Sequence, residues 1–154
     1  MALPRGAPAA PARRAVEATL LVWGFADGAA DALLVTTELV QNIAQHTPSG
    51  GELRLLLQPA SILIEAVDAD PTLPQLRDLD VHRAGGRGLL LVAAVSLTWG
   101  CRNTTWEGHA GKVIWAELAL PGNGSIDMPP NTRSVPDGRP DENRDSGVSG
   151  TLLA

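Results

Sequence analysis

The stretch ELVQNIAQH, residues 38–46, combines helical periodicity with a polar face. At about 100° per residue, Glu38, Asn42 and Gln45 fall within roughly 60° of one another around a helix axis. A different face of the same helix, suited to packing on a sheet, holds Thr36, Leu39, Val40 and Ile43. The pattern predicts an amphipathic helix that ends near Gln45.

Two side chains on the polar face of this helix have the chemistry of a site. Asn42 is a mediocre helix former in a mid-helix position, and its amide oxygen can ligate a hard cation such as Mg²⁺. One turn earlier, Glu38 can orient or deprotonate an attacking hydroxyl. The alternative is that this face is merely solvated, with His46 acting only as a cation at the end of the helix dipole. Both interpretations stay open from these residues alone.

A second motif is ILIEAVDADP, residues 62–71, which reads as a hydrophobic strand ending at Asp68. A carboxylate at the end of a buried strand is costly unless it is paired, and an adenine amino group would be a suitable donor. Alternatively, Asp68 only starts the turn before Pro71.

A third motif is GGRGLLLV, residues 85–92, in which glycines precede a predicted helix over residues 87–97. Backbone N–H groups at a helix N-terminus bind phosphate, glycine permits close approach, and Arg87 adds positive charge. Such a turn also occurs for purely conformational reasons. It is neither a Walker A sequence nor a Rossmann fingerprint, because it lacks the GK[ST] ending and does not follow a strand.

The N-terminal part of the chain predicts a short lead and one more helix. Residues 1–10 are rich in Pro and Ala and are expected to be flexible. Val16, Leu20 and Trp23 then form one apolar stripe at helical spacing. Asp27 is expected to cap the following helix, the one that carries Asn42.

The remaining segments predict strands in pairs. Residues 52–58 and 61–68 form one expected hairpin, and residues 98–103 and 112–120 form another around a polar turn. Residues 70–86 form a long loop of the kind that often covers a site. The order of elements predicts an α+β fold. It is a two-layer α/β sandwich, in which helices cover one face of a mostly antiparallel sheet.

The length and composition of the chain limit how many domains it can form and which functions it can have. The chain of 154 residues suggests one domain, placed at residues 11–121, and a tail at residues 122–154 that is expected to be disordered. A net charge of −5 argues against nucleic-acid binding. Cys101 is the only cysteine, which excludes an internal disulfide and fits a reducing cytoplasm. Neither a secretory signal nor a membrane span is expected, so we predict a cytoplasmic protein.

The three motifs, in this order, resemble those of the gyrase, heat-shock chaperone, histidine-kinase and MutL ATPase superfamily, the Bergerat fold. Within it, the chain is most similar to the anti-sigma-factor serine/threonine kinase-like proteins of actinomycetes. ELVQNIAQH resembles the N box, VDADP the first glycine box and GGRGLLLV the second. Trp99-Gly100 and GKVIWAEL, residues 111–118, resemble the final strands, so the likeness covers residues 13–120.

The resemblance implies a histidine kinase-like ATPase domain that uses ATP and Mg²⁺. It implies that Asn42 ligates Mg²⁺, that Glu38 is the general base or its orienter, and that Asp68 accepts a hydrogen bond from the adenine amino group. The phosphate and lid side would be lined by Gly86, Arg87, Gly88 and Leu89. The implied partners are an anti-anti-sigma protein, which would be phosphorylated on a serine or threonine, and a sigma factor. A homodimer is a further implication.

Three departures from the family pattern bear on these roles. Ala69-Asp70 replaces the usual glycine after Asp68, and Asp70 adds negative charge near the expected phosphates. Val113 stands at the position matched to a threonine that supports the adenine contact. No strand is evident in residues 1–12. The alternative function is therefore a non-catalytic ATP-binding module, or a nucleotide-independent module that sequesters a sigma factor.

Overall fold

The computed structural model describes residues 1–25, 29–74 and 87–120. Its elements follow in the order β1 Ala2–Leu3, α1 Ala9–Val22, α2 Ala29–His46, β2 Gly51–Leu57, β3 Ser61–Asp68, α3 Arg87–Val95, β4 Thr98–Trp106 and β5 His109–Ala119. The predicted α+β class is confirmed. Several expectations fall outside the described ranges: the cap Asp27, Gly86, the loop beyond residue 74, and the tail at 122–154.

The strands form one antiparallel sheet in the order β1-β2-β3-β5-β4. Both predicted hairpins, β2–β3 and β4–β5, are present. They join where β3 pairs with β5, which places Asp68 directly opposite Lys112. The strand that carries the second motif, β3, therefore lies at the centre of the sheet beside β5.

The helices pack on one face of this sheet and enclose a single hydrophobic core. The predicted packing face of α2 is buried, with Leu39 fully buried and Ile43 nearly so. Val16 and Leu20 of α1 are buried as well. Alternate strand positions, such as Ile64, point toward these helices, as the two-residue period of a strand requires. None of the helices within the described ranges is long and apolar enough to cross a membrane.

The N-terminal segment differs from the flexible lead that the sequence predicts. Ala2–Leu3 form strand β1 at the edge of the sheet, and Leu3 lies in the core with 3% of its surface exposed. Met1 continues this pairing, because its amino group donates to the Leu53 carbonyl and its carbonyl accepts from the Leu53 N–H. A strand of two residues has no measurable periodicity, which is why the pattern did not reveal it.

The second hairpin also differs from its predicted bounds. β4 extends to Trp106 and β5 begins at His109, so the turn is only Glu107-Gly108. Both turn residues have positive φ, 49° and 80°, as a two-residue type I′ turn requires. The residues that read as a long turn belong instead to the two strands, Thr104 and Thr105 to β4 and His109 to β5. β4 is an edge strand, where polar side chains can remain in solvent.

Candidate functional site

A cleft of about 180 Å³ lies between the polar face of α2 and the first turn of α3. It is lined by Glu38, Gln41, Asn42, Gln45, Arg87, Gly88 and Leu89. The structure thus brings together residues from the first and third sequence motifs, which are more than forty positions apart in the chain. Gly86, predicted to share this site, lies outside the described residues.

Helix geometry sets the position of the acidic and amide groups in the cleft. Glu38 and Asn42 are half-buried, one turn apart, while their neighbours Leu39 and Ile43 anchor α2 in the core. Both side chains line the same cleft, so both can contact one small ligand bound there.

Gly88 of α3 lies against the Glu38 side chain. A Cβ atom placed on Gly88 would lie only 2.6 Å from Glu38 Oε2, so the carboxylate reaches this glycine directly. The first backbone N–H groups of a helix have no partner within the helix and carry partial positive charge. A carboxylate there stabilises the helix, which is a structural role for Glu38 that stands beside a catalytic one.

Asp68 lies apart from the residues that line the cleft. Its side chain, at the end of β3, is only 2% exposed. Its Oδ1 atom accepts a hydrogen bond from Lys112 Nζ at 3.0 Å and a second from the Asp70 backbone N–H at 2.9 Å. The sequence suggested an adenine amino group as its donor, whereas the chain itself supplies one.

Lys112 is the centre of a buried ionic cluster, which we call the Lys112 cluster, formed with Asp68 and Asp70. Lys112 is 3% exposed and also donates to the Asp70 carbonyl and to Asp70 Oδ2, each at 3.1 Å. These three bonds match the three donors of an ammonium group. The expected charge of Asp70 near a ligand is therefore offset by Lys112.

Asp70 has a pKa below the ordinary value for an aspartate. The largest cause is the hydrogen bond that it accepts from the Thr72 backbone N–H, at 2.9 Å, and Lys112 adds to the effect. Partial burial acts in the opposite direction. Asp70 is consequently a stable carboxylate partner for Lys112 at neutral pH.

Val113 is not the residue that faces Asp68. It pairs with Val67, one position away on each strand, and so lies on the opposite face of the sheet. The position matched to the family threonine therefore does not face Asp68 in this sheet. Lys112 occupies the position that faces this carboxylate.

The Lys112 cluster and the cleft lie on the same, helix-covered side of the sheet. A Cβ atom placed on Gly51 would lie 3.0 Å from Ile43 Cδ1 and 3.3 Å from Asp68 Cβ. Asp68 is therefore beside the half of α2 that carries Asn42.

Lys112 was not identified from the sequence as the partner of Asp68. The clue was that the only lysine of the chain sits at an inward strand position among apolar alternates such as Ile114.

The residues that line the cleft suit the phosphates and Mg²⁺ of a Mg-nucleotide. Asp68, the expected partner of the base, is already paired within the chain. The cleft offers a helix N-terminus, a glycine and the Asn42 amide, which suit phosphate oxygens and Mg²⁺. Within the described ranges no three His, Cys, Asp or Glu side chains could hold a metal together, so Mg²⁺ would also need nucleotide and water oxygens. The Oδ1 atom of Asp68, where the nucleobase is expected, already accepts hydrogen bonds from two donors of the chain.

Comparison with known proteins adds no further assignment. Neither a scan of protein-family models nor a search of the curated proteins gives a match for this chain.

Proposed function

We propose that this chain is an ATP-binding anti-sigma regulatory factor of the Bergerat fold, and that it phosphorylates a serine or threonine on an anti-anti-sigma partner with Mg-ATP. The observation that carries the proposal is the cleft, in which Glu38 and Asn42 of α2 lie beside Gly88 of α3. The three motifs that resemble the N box and the two glycine boxes support it. A sigma factor is the second partner that the resemblance implies.

The proposed role of each residue follows from its chemistry and place. Asn42 would ligate Mg²⁺ through its amide oxygen, and the start of α3, with Arg87, Gly88 and Leu89, would hold the phosphates. Glu38 would orient the partner's hydroxyl and take its proton as that oxygen bonds to the γ-phosphorus, while the bond from this phosphorus to the β–γ bridging oxygen breaks and ADP leaves. Gly86 would belong to the phosphate side, and Asp68 would accept from the adenine amino group.

A non-catalytic, partner-binding module is the second candidate function. One specific observation favours it, namely that Asp68 is already paired with Lys112 and is only 2% exposed. A base contact of the family type would have to compete with this ion pair. In this alternative the chain binds ATP only as a structural ligand, or binds no nucleotide, and acts by sequestering a sigma factor.

The first test is Mg²⁺-dependent ATP binding by calorimetry. We expect binding to the wild-type chain that requires Mg²⁺ and is lost in Asn42→Ala and weakened in Asp68→Asn. Transfer of the γ-phosphate to an anti-anti-sigma protein is then measured, and Glu38→Gln should abolish the transfer while ATP still binds. Glu17→Gln, a matched change on the exposed surface of α1, should alter neither measurement.

The outcomes separate the two candidates. ATP binding without transfer to any anti-anti-sigma protein would contradict the kinase and leave the ATP-binding module. An absence of ATP binding at millimolar concentration would contradict both nucleotide-dependent functions. Tight partner binding by Glu38→Gln would show that sequestration does not need this carboxylate.

A further inference from the structure

We propose that Lys112 is an internal competitor for the base-binding carboxylate. It would hold Asp68 when no nucleotide is bound and would have to leave before a nucleobase can be recognised there. This inference rests on the proposed function, and it concerns how access to the same site is regulated. The pairing that carries it is the 3.0 Å contact between Lys112 Nζ and Asp68 Oδ1.

The contact leaves little of the carboxylate for a ligand. Only 2% of the Asp68 side chain and 3% of the Lys112 side chain are exposed. Oδ1 accepts from both Lys112 and the Asp70 backbone, and so its hydrogen-bonding capacity is used within the chain. An amino group of a base could reach this atom only by replacing one of these donors.

Asp70 is an alternative ion-pair partner for the Lys112 ammonium group when it leaves Asp68. Lys112 Nζ is already 3.1 Å from Asp70 Oδ2, and the Asp70 side chain is 28% exposed, so it lies at the solvent side of the cluster. When Lys112 gives up Asp68, it therefore keeps a carboxylate partner and is not left as a lone buried charge, which would be strongly unfavourable. The aspartate that replaces the family glycine would thus make the exchange feasible.

The only lysine of the sequence makes this exchange directly observable. With lysine labelled at Cε with ¹³C, the wild-type chain should give a single lysine ε signal in its NMR spectrum. We expect saturating Mg-ATP to move this signal toward its position in nucleotide-free Asp68→Asn, where the pairing is already weakened. An unmoved signal, under conditions where calorimetry shows ATP bound, would overturn the inference and leave the proposed function intact.

A second measurement compares affinities. Lys112→Met should bind ATP about tenfold more tightly than the wild-type chain, because the competing donor is gone. The matched control is Arg102→Met, which removes a cation on β4 that pairs with Glu65 of β3 at 3.2 Å, and its affinity should be unchanged. If folded Lys112→Met bound ATP no better than wild type, the inference would be contradicted.

The two measurements also distinguish failure of the inference from failure of the function. Binding by Lys112→Met alone, with none to the wild-type chain, would support the inference in its strongest form. No binding to either chain would refute the proposed nucleotide site, and the inference with it. If Lys112→Met does not fold, the NMR measurement on the wild-type chain still decides the question.

Discussion

At the scale of single residues, two basic side chains show how burial changes the value of an ion pair. Arg54 pairs with Glu52 at 2.7 Å, but their side chains are 44% and 34% exposed. Lys112 pairs with Asp68 at 3.0 Å where both are nearly inaccessible. The surface pair is screened by water, whereas removal of one partner from the buried pair leaves a charge without compensation.

Lys112→Met should therefore lower the free energy of unfolding by about 3–5 kcal/mol, and Arg54→Met by about 0–1 kcal/mol. The measurement is urea-induced unfolding of both variants and the wild-type chain at pH 7. Equal effects of the two substitutions would show that the Lys112 cluster does not stabilise the fold as its burial suggests.

Asp70 should contribute to the loss of stability in acid. Its pKa is lowered in the folded chain, chiefly by the hydrogen bond from the Thr72 backbone. A carboxyl group of this kind stabilises the fold above its unfolded pKa of about 3.9, and the contribution is lost as the pH falls through the folded value. Unfolding free energies measured below about pH 4 should depend less steeply on pH in Asp70→Asn than in the wild-type chain. Identical slopes would contradict this assignment.

Gly88→Ala should separate stability from site function. The added methyl group would meet Glu38 Oε2 at 2.6 Å, and the flexible carboxylate would have to move away. Alanine favours a helix over glycine by about 1 kcal/mol, while moving Glu38 away from the helix N-terminus costs about 0.3–1 kcal/mol, so the melting temperature should stay close to that of the wild-type chain. ATP binding, measured by calorimetry, should nevertheless weaken. Leu91→Ala, a change at an exposed position of the same helix, should leave ATP binding unchanged.

At the scale of elements, β1 shows that a very short strand can anchor the edge of a sheet. Ala2–Leu3 pair with β2, and Leu3 places one fully apolar side chain in the core. Gly50, with φ of 79°, permits the close approach, since a Cβ atom there would meet the Leu3 carbonyl oxygen. Leu3 and Gly50 thus support this edge together with the two hydrogen bonds between Met1 and Leu53.

Leu3→Ala should lower the free energy of unfolding by about 2–4 kcal/mol, because it removes a buried side chain and leaves a cavity. Leu21→Ala is the matched control, because Leu21 is 65% exposed on α1, and it should change the free energy little. Guanidinium unfolding of both variants measures the difference. A negligible effect of Leu3→Ala would mean that β1 detaches readily from β2.

Elements with a strong internal pattern could be predicted from the sequence, and elements defined by distant partners could not. The helix with Leu39 and Ile43 on its inner face is recognisable because its own periodicity marks it. β1 and the outer half of β4 have no such pattern, because their strand character comes from β2 and β5. The polar residues Thr104 and Thr105 therefore read as part of a turn, although they belong to the edge strand β4.

At the scale of the whole molecule, the candidate site also contains residues that a local motif predicts and residues whose role depends on a distant partner. Glu38, Asn42 and Gly88 could be proposed from local motifs, and the structure places them in one cleft. The partner of Asp68 could not be predicted from a local motif, because Lys112 is 44 residues away and its contact depends on the register between β3 and β5. No local pattern around either residue carries that register.

The central pairing of β3 with β5 has a consequence for how the chain folds. Each hairpin closes a short loop, whereas the β3–β5 seam joins residues at least 44 positions apart, which costs more chain entropy. We expect this seam to form in the rate-limiting step. In stopped-flow experiments, Ile114→Val on the seam should slow refolding, while Ile43→Val in α2 should mainly speed unfolding. The reverse pattern would place the barrier in the helical layer. A nascent chain would acquire the Asp68–Lys112 pairing only after the 44 residues from Asp68 to Lys112 had been synthesised.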